Sequence, residues 1–199
     1  MQKMGLISLI KADVKFKQQW FLSQKSWFTR NVRVFLEPGT IAVIVYRYGS
    51  WARGIKPALL RIPLYIPYAL GKVLVVLGFG IYIPSKAKIG PGFVIHNFSN
   101  IFISEGEIGG NCIVFQGVTT GHLREQPEPP KLGNNVFLGA GAKVLGSVKI
   151  GDNVVVGANS VVISDVPDNC TVMGNPARII SRETNWMAEK REGKKVVNY

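Results

Sequence analysis

The chain has 199 residues, 47% of them hydrophobic and 18% charged, and a formal net charge of +12. That length fits one core domain with a smaller appendage, and the composition excludes a disordered, low-complexity or collagen-like chain. Only two cysteines occur, Cys112 and Cys170, which read as free, buried or near-buried thiols in a reducing compartment rather than a disulfide framework.

From the N-terminus, residues 1–36 predict one or two amphipathic helices, with aromatic and aliphatic positions set between lysines. No signal peptide is expected, because Asp13 and a run of lysines replace a clean apolar core and cleavage site. Glu37-Pro38-Gly39 reads as a break. Thr40 to Arg53 reads as the next helix, with Thr40 as N-cap.

Ile55 to Gly80 is strongly apolar, and from Ile62 to Ile83 the only charge is Lys72. The stretch is long enough to cross a bilayer, but Pro63, Pro67, Gly71, Gly78 and Gly80 argue against one straight spanning helix. An interfacial helix in the headgroup plane is the preferred reading. A cover over the neighbouring part of the fold, making a subunit contact, is the alternative.

Charge is unevenly placed. Residues 1–80 hold twelve Lys and Arg against Asp13 and Glu37, whereas residues 81–180 hold seven of each sign. A basic segment on a neutral domain implies an anionic surface as partner. Trp20, Phe21, Trp27 and Phe28 in the same segment, with no groove-reading motif, point to a membrane surface and away from nucleic acid. The expected location is cytoplasmic, peripheral at the inner face of the cell membrane.

From Ile83 an aliphatic recurs every sixth residue: Ile83, Ile89, Ile95 and Ile101, then after a slip of one Ile108 and Val114. Thr120 holds the next place, and the rhythm resumes at Leu132, Leu138, Val144, Ile150, Val156 and Val162. Neither a helix nor a plain alternating strand gives this period. Each hexapeptide is one flat side of a triangular coil, so the repeat predicts a parallel β-helix. Residues 121–131 are polar and proline-rich and predict a loop thrown out of the wall. The expected layout is a helical N-terminal cap over 1–80, the coil domain over 81–180 with the insert 121–131, and a charged tail over 181–199.

Five motifs then follow in order: Ile89 to His96 (Ile-Gly-Pro-Gly-Phe-Val-Ile-His), Gly117 to Gly121, Leu138 to Gly146, Val156 to Val162, and Gly174 to Arg178. Together they resemble the serine acetyltransferase branch of the hexapeptide-repeat acyltransferases, over about half the chain. The resemblance implies an all-β left-handed parallel β-helix, acetyl-CoA as donor, a homotrimer, and active sites between subunits. The chain departs from that branch at informative places. Ile95 precedes His96 where the family has Asp, and Tyr82 stands where the family's partner Asp lies. Glu128-Pro129-Pro130-Lys131 replaces an Arg-His-Pro-Lys motif. These departures turn the expectation toward relatives that O-acetylate sugars in capsule and exopolysaccharide synthesis.

His96 follows a repeat aliphatic and so points outward, where a neutral imidazole suits a general base at neutral pH. A backbone carbonyl, Tyr82 or Glu105 could orient it. His122, at the root of the insert, matches a family Gly near the thioester and is the second catalytic candidate. Gly121 would let backbone approach the acetyl group, where a backbone N–H could steady the oxyanion. Ala140 and Ala158 match family positions lining the pantetheine arm, and Lys143 and Arg178 are candidates for the phosphates. No metal is expected, because two histidines fall short of a three-histidine zinc site. The expected function is acetyl-CoA-dependent O-acetylation of a sugar or polysaccharide hydroxyl. Serine O-acetylation and a non-catalytic β-helix assembly protein are the alternatives.

Overall fold

The computed structural model describes residues 4–191 of the chain. Helices α1 (Leu6–Phe21), α2 (Trp27–Asn31), α3 (Pro38–Arg53) and α4 (Ala58–Phe79) precede a run of short strands. A last short helix, α5 (Trp186–Arg191), follows the strands.

The strands form three sheets, one per side of a prism. The first holds Ile81–Tyr82, Ile101–Phe102, Thr119–Gly121, Lys143–Leu145 and Val161–Val162. The second holds Lys88–Ile89, Glu107–Ile108, Lys131–Leu132 and Lys149–Ile150. The third holds Val94–Ile95, Ile113–Val114, Phe137–Leu138, Val155–Val156 and Thr171–Gly174, and closes with Ala177–Ser181. All pairs are parallel except that last one, which returns antiparallel. Lys131 pairs with Lys149, Phe137 with Val155 and Lys143 with Val161, a constant step of eighteen residues. The step lengthens to twenty-four between Ile113 and Phe137, where the insert leaves the wall.

The six-residue aliphatics fill the prism. Ile95, Val114, Leu138, Val144 and Val156 are almost fully buried, and Cys112 and Cys170 lie among them. Burial pushes the Cys112 thiol up to about 12. At one corner Gly92, Asn111, Asn135, Asn153 and Asn169 all adopt left-handed backbone, which glycine and asparagine tolerate best. The asparagines also bond in sequence: Asn111 donates to Asn135, Asn135 to Asn153, and Asn153 to Asn169. This ladder fixes the height of each coil on the next.

The open first coil is capped by α1 and α3 through buried polar contacts. Arg47 on α3 donates to both carboxylate oxygens of Asp13 on α1. The same guanidinium bonds the carbonyls of Ile89 and Gly90, and Asp13 accepts from the Phe93 amide. Lys17 reaches Thr40, the Ile95 carbonyl and Glu37. Tyr46 donates to the Ala87 carbonyl and accepts from the Ile89 amide. Asp13, Lys17, Tyr46 and Arg47 each meet a backbone group left open at the end of the stack, as buried polar groups must.

Three expectations need correction. Helix α3 starts at Pro38 with Glu37 as N-cap, because proline suits the first helical turn; Thr40 is inside the helix and accepts from Lys17 instead. The prolines do not break α4, which runs unbroken through Pro63 and Pro67. Both are exposed, so the Leu59 and Pro63 carbonyls they deprive of a helical donor lie on the outer side. Asp13 and Lys17, in the segment read as amphipathic helices, are buried in the cap. The stretch after residue 180 is more than a charged tail: Trp186 is 1% exposed and its indole donates to the Asn135 carbonyl. The remainder of that tail, 192–199, and residues 1–3 of the N-terminal segment lie outside the described residues.

Replacing Arg47 by Met should destabilise the protein by about 3–5 kcal/mol in urea denaturation, since it strands a buried carboxylate and two carbonyls. Both cysteines should resist iodoacetamide in the native protein and react only on unfolding, as followed by mass spectrometry.

Candidate active site

His96 directly follows the Val94–Ile95 strand, at the corner between the third and first sheets. Its amide donates to the Val114 carbonyl, so the residue is set by the coil below. Its half-buried ring is stacked on Phe21 of α1, with centroids 3.6 Å apart and planes 13° from parallel. Phe115, which takes the same place one coil on, meets it edge-on at 5.0 Å.

The helix that supplies Phe21 is aligned by its own spacing. Asp13, Lys17 and Phe21 recur every four residues, one face of a helix. They meet the Phe93 amide, the Ile95 carbonyl and the His96 ring in that order. Burial pushes the Asp13 carboxyl up, against Arg47 and the Phe93 amide, and burial pulls the Lys17 ammonium down, against Glu37. Each charge is thus held by its partner where water would otherwise hold it.

The aromatic contacts continue around the third sheet. Phe115 meets Phe137, Phe137 meets Trp186, Trp186 meets Trp20, and Trp20 meets Phe16. Trp20 and Phe21, expected at a membrane surface, are therefore packed on the coil.

The same corner carries a column of small and amide side chains. Asn97 donates to Gln116 one coil on, and Ala140 and Ala158 occupy the next two levels. Both alanines are partly exposed, so their methyl groups form a shallow ledge. Arg178 is exposed on the closing strand, opposite Met173 and next to the Gly174–Ala177 pair that ends this column. The structure thus brings His96, Ala140, Ala158 and Arg178 to one edge of the prism.

The other predicted residues lie elsewhere. Gly121 ends a strand of the first sheet and faces the next corner, and a Cβ there would meet only Leu145, at 3.9 Å. His122 is exposed where the insert begins. Lys143 donates to the Gly117 carbonyl and to Thr119, so its ammonium is taken up within its own sheet instead of standing free for a phosphate. Neither proposed orienting side chain reaches His96. Tyr82 stacks on Phe102 beneath the Lys72 ammonium, and Glu105 pairs with Lys86 at the surface.

The sequence reading missed Phe21 and Phe115 as neighbours of His96. The signal for Phe115 was present, since it follows Val114 as His96 follows Ile95. Among the described residues no group of three or more His, Cys, Asp or Glu could hold a metal ion.

Residues 129–164 match the family model described as bacterial transferase hexapeptide (six repeats). The coil domain thus carries the repeat of that family, and its likeness is to hexapeptide-repeat acyltransferases. Within that class the similarity runs to serine acetyltransferases. The chain is 41% identical to the one from Synechococcus elongatus over 148 residues, 73% of this chain and 58% of that protein. It is 38% identical to the one from Bacillus subtilis over 136 residues, 67% of this chain and 63% of that one. Two crystal structures of serine acetyltransferase from Brucella abortus, one of them in complex with coenzyme A, superpose with TM-scores of 0.75 at 26% identity. They match 89% of this chain and 69% or 68% of theirs. The chain therefore spans less than two thirds of the length of these curated relatives.

These likenesses correct the sugar-acceptor expectation, which rested on side chains missing from the motifs. The similarity extends well beyond the coil motifs and into the helical segment, and it is to proteins named for serine.

His122 is exposed and His96 is covered by Phe21, so diethyl pyrocarbonate should modify His122 first, as read by peptide mass spectrometry. In Phe21→Ala the two rates should approach each other.

Proposed function

We propose that this protein is an acetyl-CoA-dependent O-acetyltransferase with the serine hydroxyl as acceptor. The carrying observation is His96 at the head of the Asn97–Gln116–Ala140–Ala158 column, on a fold whose relatives are serine acetyltransferases. The ledge fits the group it has to take: two stacked methyl groups leave room for a narrow pantetheine arm, and the Arg178 guanidinium stands at its end as a phosphate partner. The donor supplies an activated thioester carbonyl and a thiol leaving group.

His96 does the protein's part. The imidazole accepts the hydroxyl proton as the oxygen attacks the carbonyl carbon, and the imidazolium returns that proton to the departing sulfur. Phe21 covers one face of the ring and Phe115 meets it edge-on, which together hold it in place for passing the proton to and from the reactants. A backbone N–H near Gly121 or the His122 ring would steady the oxyanion. These lie at a different corner from His96 in one chain, and a homotrimer of left-handed prisms would bring one subunit's insert to its neighbour's His96.

Serine-dependent release of the CoA thiol tests the reading. The wild-type protein should release thiol from acetyl-CoA when serine is added, and His96→Ala should be slower by about two orders of magnitude or more. Near-full activity in His96→Ala, or no response to serine, would overturn it.

A further inference from the structure

Helix α4 presents two apolar faces, and the fold uses one. Tyr68 and Val75 are buried on the inner face, where the Tyr68 ring lies against Gly49 and Gly71 admits Val45 of α3. On the outer face Leu59, Ile62, Ile66, Leu70, Val73 and Leu77 are between 55% and 81% exposed. They recur every three or four residues and make a continuous stripe of about 27 Å at the helical rise. The span Leu59–Phe79 has a mean hydropathy of 1.7 and is the one described helix long and apolar enough to cross a membrane, yet only 11% of it is buried. Such a patch on a soluble protein marks a contact surface.

Charge says what covers it. At the head of the stripe Arg53, Arg61, Ile62 and Tyr65 line a cleft of about 350 Å³, and Lys56 is exposed in the turn between α3 and α4. The only other cation in the helix, Lys72, is turned onto the Tyr82 ring. No acidic residue occurs from 38 to 104, and the two acids before that, Asp13 and Glu37, are paired with Arg47 and Lys17. A second copy meeting this face would find no free carboxylate on the helical segment to pair with the basic turn. A bilayer of anionic lipid supplies both partners: hydrocarbon for the stripe and phosphate for Arg53, Lys56 and Arg61.

We infer that α4 is a membrane-docking helix, lying flat in the headgroup layer of an anionic bilayer with Arg53 and Arg61 on lipid phosphates. It lies on the membrane and does not cross it. Its inner face is packed on α3, and α3 is bonded to the first coil through Tyr46 and Arg47. A crossing orientation would carry Arg47 and Asp13 toward the hydrocarbon or tear α4 from α3, and charged groups at that depth are costly.

Sedimentation of the full-length protein with phosphatidylcholine vesicles, with and without phosphatidylglycerol, tests this. The protein should pellet with the anionic vesicles, lose affinity as salt rises, and remain in the supernatant with phosphatidylcholine alone. Leu70→Glu with Leu77→Glu should abolish pelleting; both side chains are exposed, so circular dichroism and melting temperature should hold. Arg53→Ala with Lys56→Ala and Arg61→Ala should weaken binding by about a hundredfold, roughly fivefold for each cation. Wild-type protein that stays soluble with anionic vesicles overturns the inference. So does a larger assembly in sedimentation velocity that Leu70→Glu and Leu77→Glu dissolve without any vesicle binding, which would give the face to a second copy.

Discussion

The pairing of Asp13 with Arg47 is the join on which the rest of this protein depends. A stack of parallel coils ends in a row of backbone groups with no next coil to bond. Here one guanidinium takes two of the exposed carbonyls and one carboxylate takes an exposed amide, and the two ions neutralise each other. Burying either ion alone would be prohibitive; burying both against unfilled backbone groups answers two problems with one contact. The pair also fixes the angle of α1, and α1 in turn carries Lys17 to the Ile95 carbonyl and Phe21 to the His96 ring. The end cap and the candidate site are therefore one construction.

The prism was legible because its signal is periodic. Ile83 through Val162 mark the inward positions, and the polar stretch after Gly121 marks the insert, since neither depends on anything far away in the chain. The cap was not legible in the same way. The roles of Asp13 and Lys17 do not show in the sequence, because Arg47 lies 34 residues from the one and Ile95 78 residues from the other, beyond any local pattern. Trp20 and Phe21 read as membrane aromatics for the same reason, their neighbours Trp186 and His96 being distant in sequence. Pro63 and Pro67 read as breakers because local propensity does not see that both stand on the outer side of the helix. The asparagine corner was in plain view, but its steps of 24, 18 and 16 residues make it a less regular signal than the aliphatic one.

The site shows the same division. His96, Ala140, Ala158 and Arg178 were reached from motif position, and they do share an edge. Lys143 was put forward beside Arg178 as a phosphate candidate, and the sequence did not reveal that Gly117 and Thr119 hold its ammonium. The inference against serine rested on what the motifs lack. Tyr82 illustrates its weakness: stacked between Phe102 and the Lys72 ammonium, it occupies its place through packing and says nothing about the acceptor.

The aromatic belt from Phe16 to Trp186 bears on the order in which the protein is made. Synthesis delivers the first helix long before the last, and the belt needs both. While the chain is still on the ribosome the coils can stack one by one, each bonding to its predecessor. Trp20 meanwhile waits for an indole that has not been translated. The far end of the belt therefore reaches its final form only once almost the whole chain has emerged, and a truncated chain would carry a well-formed stack with an unfinished edge.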